Sequence, residues 1–98
     1  MIRHCLLFRW LPDTTDDQID EVGKLLQEYV ATLDGVASYR LGRDIGVTEG
    51  TYDFAIVADF ETREAYLTYR DSPRHVEISK GIVTPLLTER ASVQFELP

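Results

Sequence analysis

Residues 2–10, Ile2-Arg3-His4-Cys5-Leu6-Leu7-Phe8-Arg9-Trp10, alternate in the two-residue period of a β-strand and are rich in aromatic and bulky apolar side chains. One face carries Ile2, His4, Leu6, Phe8 and Trp10. The other carries Arg3, Cys5, Leu7 and Arg9. Apolar groups on both faces mark a central strand covered on both sides, and the fold follows from asking what covers each face.

Downstream, Leu11-Pro12-Asp13 ends the strand. Thr15 with Gln18 reads as a capping box, and Asp16 and Asp17 suit a first helical turn. Ile19, Val22, Leu26, Tyr29, Val30 and Leu33 form one apolar stripe at helical spacing, predicting a helix to about Leu33, closed by Gly35. Residues 36–45 read as a second strand and 46–50 as a polar hairpin loop. Residues 52–60 (YDFAIVADF) alternate cleanly as a third strand. Thr62 caps a second helix bearing Ala65, Tyr66 and Tyr69. Ser72-Pro73 then combines an N-cap with a proline at the first helical position, so the helix restarts at once. Val76, Ser79, Ile82 and Val83 are expected to face inward on this third piece, and 89–97 form the last strand.

The order β-α-β-β-α-β is the ferredoxin-like pattern: an α+β fold whose four-stranded antiparallel sheet has its helices on one face. The opposite face should be polar, yet Cys5, Leu7, Ala55 and Val57 lie there, with Tyr39 or Leu41. A second copy of the chain is the simplest cover, so a homodimer is expected.

The chain has 98 residues, the size of one small domain spanning 1–98, and a net charge of −7. That charge argues against nucleic acid and anionic membrane surfaces as partners. One cysteine, Cys5, excludes an intrachain disulfide and a cysteine metal cluster. No run approaches the ~20 apolar residues of a membrane span, and the N-terminus passes straight into a strand pattern, unlike a signal peptide. A cytoplasmic protein is the expectation. Gly42, Gly46 and Gly50 make no phosphate cradle, and no cofactor or metal motif is legible in side chains.

Several stretches together resemble the stress-responsive A/B barrel (Dabb) family of the dimeric α+β barrel superfamily. They are Ile2-Arg3-His4 with Leu7-Phe8, Gly42-Arg43-Asp44, Tyr52-Asp53, Asp59-Phe60-Glu61-Thr62-Arg63-Glu64-Ala65, Tyr69, Ser72-Pro73-Arg74-His75, and Arg90-Ala91-Ser92-Val93. The resemblance implies a homodimer whose two sheets form a barrel, binding a small hydrophobic or carbonyl-containing ligand between sheet and helices. One branch resembles plant polyketide cyclases, which close rings by aldol-type chemistry with a Tyr and a His spaced as Tyr69 and His75 are, and a strand-one His that would be His4. This chain differs at Ser72, where those enzymes carry His. The superfamily also includes small monooxygenases. Some relatives hold Mg2+ on backbone carbonyls at the end of helix one, here near Val30, Leu33 and Val36.

The residues themselves leave alternatives open. His75, near a helix start, can be a neutral base near pH 7 or only part of a Ser-Pro helix start. His4 can orient a ligand or be a hydrogen-bonded core residue. Tyr69, with Tyr66 and Tyr29 as alternatives, can be an oxygen-binding acid or the edge of a helix stripe.

Overall fold

The computed structural model describes all 98 residues. The elements are β1 (Ile2–Trp10), α1 (Asp16–Val30), β2 (Val36–Arg43), β3 (Phe54–Phe60), α2 (Arg63–Asp71) and α3 (Pro73–Ile78). A π-helical turn (Ser79–Val83) and a 3-10 turn (Thr84–Leu86) lead into β4 (Leu87–Glu96). The four strands form one antiparallel sheet in the order β2-β3-β1-β4, so β1 is central as its two apolar faces require. This is the ferredoxin-like α+β fold.

The register divides the sheet cleanly. Directly opposed residues share a face. Leu6 opposes Ile56, Phe8 opposes Phe54, and these join Val22 and Leu26 of α1, Tyr69 of α2 and Ile78 of α3 in the core. On the other face Cys5 lies between Val57 and Val93, and Leu7 between Ala55 and Ala91. The only ion pair on that face between β1 and β3 is the two-pronged Arg3–Asp59 bridge. Tyr39 and Leu41 do not belong to this face. They oppose Ala58 and Ile56, and so point toward the helices. The register of β2 shifts between Val36 and Ser38, and such a slip exchanges the faces of the residues on one side of it.

The capping box of α1 is present: Gln18 N donates to Thr15 Oγ1 (3.2 Å) and Thr15 N to Gln18 Oε1 (2.8 Å). The helix stops at Val30, short of Leu33. The Thr32 hydroxyl donates to the Tyr29 carbonyl (2.6 Å), and Thr32 N and Leu33 N make i→i+3 bonds that tighten the chain out of the α-helix. Gly35 follows at φ +79°, and a Cβ there would lie 2.7 Å from that of Ala65, so both conformation and close packing demand glycine.

Three strand boundaries also differ from expectation. β2 ends at Arg43 because the Asp44 carboxylate accepts from Gly46 N (3.0 Å), a local turn that competes with the ladder. β3 starts at Phe54, since the Asp53 carboxylate takes Trp10 N (2.9 Å) in place of a strand carbonyl. β4 begins at Leu87, reached through an irregularity between Arg9 and Trp10. Val76 is 38% exposed and does not face inward, whereas Ile78 is fully buried. The inward stripe of the third piece is phased on His75, then Ile78-Ser79, then Ile82-Val83.

Candidate active site

Ser72 fixes the site. Its hydroxyl oxygen accepts from His75 N (3.3 Å) and Pro73 occupies the first position of α3, so the chain turns sharply between α2 and α3. The turn lays the His75 ring over the end of α2, its centroid 4.5 Å from that of Tyr69 and 5.9 Å from that of Tyr29. His75 Nδ1 lies 3.0 Å from the Arg70 carbonyl. A carbonyl only accepts, so in the neutral ring Nδ1 carries the proton and Nε2 keeps its lone pair. Burial, and then the Arg90 charge, lower the His75 pKa, while the Arg70 carbonyl and Asp71 oppose this. Burial is thus the largest of these contributions to a neutral ring.

Tyr69 is 2% exposed. Its hydroxyl lies 2.9 Å from that of Tyr39 on β2. Burial pushes its pKa up to about 12, with the Tyr39 hydrogen bond opposing. Burial also drives Tyr39 well above the ordinary tyrosine range. Both phenols stay protonated at neutral pH and act as hydrogen-bond donors, not as phenolates.

His4 is buried on the inner face of β1. Its Nδ1 accepts from the Gln94 amide NH2 (2.8 Å), directly across on β4, which leaves the proton on Nε2. Its ring is 5.2 Å from Tyr66 and 6.3 Å from Tyr69. Both histidines therefore lie close to Tyr69, His75 nearer than His4.

A cavity of about 20 Å³ lies between sheet and helices, lined by Leu6, Phe8, Leu26, Ile56, Tyr69, His75, Ser79, Val83 and Arg90. It has room for about one water. His75 and Tyr69 line it; His4 does not. Ser79 and Val83 belong to the π-helical turn, a wider and weaker turn than the α-helix and a recurrent feature of functional sites. A larger surface recess, about 520 Å³, runs beside Leu7 and the β2–β3 loop, but neither histidine lines it. No group of three or more His, Cys, Asp or Glu is placed to hold a metal ion. At the end of α1 the Val30 carbonyl accepts from Leu33 N (3.0 Å).

Tyr39, Arg90 and Gln94 were not among the site residues expected from sequence. Arg90, Ser92 and Gln94 alternate with Ala91, Val93 and Phe95 along β4. That polar face turned toward the helices was the available signal. Tyr39 was hidden by the register shift of β2.

Burial pushes the His4 pKa down to about 4, with the His75 and Arg90 charges acting in the same direction. In the unfolded chain the ring titrates near its ordinary value of 6.5. Between these values the unfolded chain binds a proton that the folded chain refuses. The stability held above pH 6.5 is therefore lost as pH falls toward 4. The expected His4 share is roughly 2 kcal/mol after allowance for solvent screening, and His75 adds with the same sign. Urea denaturation at pH 7 and pH 4.5 should show the loss in the wild type and a shallower one in His4→Asn. An equal loss in both would remove His4 as the cause.

No curated protein matches this chain. Solved structures do. A dimeric ferredoxin-like protein of unknown function from Thermobifida fusca is 38% identical, with a TM-score of 0.88 over 98% of this chain and 90% of that one. A hydroxynitrile lyase from Passiflora edulis is 17% identical, with a TM-score of 0.86 over 99% and 93%. A Dabb family protein of ferredoxin-like fold from Mesorhizobium loti is 20% identical, with a TM-score of 0.81 over 99% and 96%. The model of the stress responsive A/B barrel domain matches residues 2–97, and the chain belongs to that family, Dabb.

Proposed function

We propose that this protein is a cytoplasmic homodimer that binds a small carbonyl-containing ligand between sheet and helices, at His75 and Tyr69. One observation carries the reading. In a chain of net charge −7, the residues lining the cavity include no carboxylate; its polar ones are His75, Tyr69, Ser79 and Arg90, set among five apolar residues. Hydroxyl and guanidinium donors converging on an apolar pocket suit a carbonyl oxygen attached to a hydrophobic body. At about 20 Å³ the cavity admits such a ligand only when its wall moves, and the π-helical turn Ser79–Val83 is the wall with slack.

The dimer is supported by the outer sheet face, where Leu7 and Val57 are each 37% exposed, Val93 56% and Phe95 46%. A contiguous apolar surface of this kind calls for a partner, and the similar Thermobifida protein is dimeric. No helix is long and apolar enough to cross a membrane.

A second reading is favoured by the His75 tautomer. With Nδ1–H held by the Arg70 carbonyl, Nε2 is free to take a proton from a carbon beside a carbonyl, while the Tyr69 hydroxyl stabilises the enolate oxygen. That is the chemistry of a polyketide-cyclase-like enzyme, with His4 as an orienting residue near Tyr69. A lyase is also found on this fold. Calorimetric titration with benzaldehyde tests the binding site. The wild type should bind saturably, and Tyr69→Phe should weaken binding at least about tenfold, the loss of the one hydroxyl that donates to the carbonyl oxygen within an apolar pocket. Equal affinity in both proteins would sink the assignment.

A further inference from the structure

The end of α2 leaves carbonyls without helical partners, as every helix C-terminus must, those of Tyr69 and Arg70 among them. Both are taken by groups of the site. Arg70 O receives the His75 ring at Nδ1, 3.0 Å away. Tyr69 O receives the hydroxyl of Tyr29, which reaches across from α1 at 2.8 Å and is buried. The same Tyr29 hydroxyl contacts Ser72 Oγ. Tyr29 has one proton, and the Tyr69 carbonyl can only accept it. The Ser72 hydroxyl must then donate to Tyr29, which leaves a Ser72 lone pair for His75 N. The result is one directed chain: His75 N–H to Ser72, Ser72 O–H to Tyr29, Tyr29 O–H to the Tyr69 carbonyl.

We infer that Tyr29 is a positioning residue, which clamps the α2–α3 junction so that the His75 ring is locked in the Nδ1–H tautomer with Nε2 free for a ligand. The inference rests on the reading of His75 as a ligand-contacting group, but its geometry does not depend on any ligand. Tyr29 ties three elements together. Its carbon skeleton belongs to the apolar stripe of α1, where any large apolar residue would pack. Its hydroxyl is the only side-chain group of α1 that bonds to the junction, and the partners it satisfies are those next to the two site residues. Packing alone does not explain the hydroxyl. A phenylalanine would fill the same space and leave the Tyr69 carbonyl unpartnered inside the protein, which costs free energy unless the junction opens to water. Opening it moves Arg70 O away from the His75 ring.

Tyr29→Phe separates the hydroxyl from the packing. The readout is the tautomer of His75, followed through the two-bond proton–nitrogen correlations of its ring in 15N-labelled protein at pH 8, with no ligand present. In the wild type Nδ1 should give the protonated signature and Nε2 the unprotonated one. In Tyr29→Phe both nitrogens should shift toward the averaged values of an imidazole exchanging between tautomers, while His4, held by Gln94, stays unchanged as an internal control. A ring that keeps the full Nδ1–H signature in folded Tyr29→Phe overturns the inference. If that variant does not fold, Ser72→Ala breaks the chain at its middle and is read in the same way. Failure of benzaldehyde to bind the wild type would remove the ligand reading alone, since the tautomer of His75 is decided without it.

Discussion

Leu7→Asp should turn the proposed dimer into a folded monomer. Leu7 lies at the centre of the outer sheet face, opposed on one side by Ala55 and on the other by Ala91. Neither neighbour offers a cation or a hydrogen bond, and Arg9, two residues on along the same face, is engaged by Glu89 and the Thr51 carbonyl, so a carboxylate there would be buried unpaired in a sheet-to-sheet interface. Val57 is the less severe position, because Arg40 lies directly opposite it on β2 and could pair with a new acid. A two-fold interface meets every substitution twice. The dissociation constant should therefore rise at least about a hundredfold, which corresponds to roughly 3 kcal/mol. The single chain should tolerate the change, since Leu7 is already 37% exposed in it. Sedimentation at micromolar concentration, with circular dichroism to show retained structure, checks both halves. A Leu7→Asp protein that remains fully dimeric would place the interface elsewhere.

The largest stability effect is expected at Tyr69. Its ring is in contact range of Tyr29, Tyr39, Phe60, Tyr66, His4 and His75, with centroid separations from 4.5 to 6.4 Å. Tyr69→Ala removes the hub of this cluster and leaves a void that two helices and the sheet cannot all close. A loss of about 3–5 kcal/mol is expected, a large part of the ~5–15 kcal/mol that holds a domain folded. Tyr69→Phe keeps the ring and removes only the hydroxyl bonded to Tyr39, for a loss of about 1 kcal/mol. Urea denaturation of the two variants separates packing from hydrogen bonding. Equal losses would mean that the ring contributes nothing beyond its hydroxyl.

Much of the scaffold was legible because it is written in short-range signals. The alternation of 2–10, the Thr15–Gln18 box, Thr62, and Ser72-Pro73 each act within a few residues, and each is found where the sequence places it, while the alternation of 52–60 becomes a strand only from Phe54. The misplacements arise where a local competitor intervenes. Thr32 diverts the Tyr29 carbonyl and shortens α1. A shift in the ladder of β2 moves Tyr39 to the helix face, and a stripe phased on His75 leaves Val76 outside. The surroundings of the site were the least legible part. Gln94 meets His4 across 90 residues of sequence, and Tyr29 meets Ser72 across 43. Such pairs are set by strand register and helix docking, and no motif announces them. The size of the cavity depends on the same docking.

The most direct test of the ligand-site claim is a crystal structure of the protein soaked with benzaldehyde. The account predicts the carbonyl oxygen within hydrogen-bond distance of the Tyr69 hydroxyl, the aromatic ring on Leu6, Phe8 and Ile56, and the Ser79–Val83 turn displaced outward. Benzaldehyde found only on the outer sheet face or beside the β2–β3 loop, with the space around Tyr69 still closed, would contradict it.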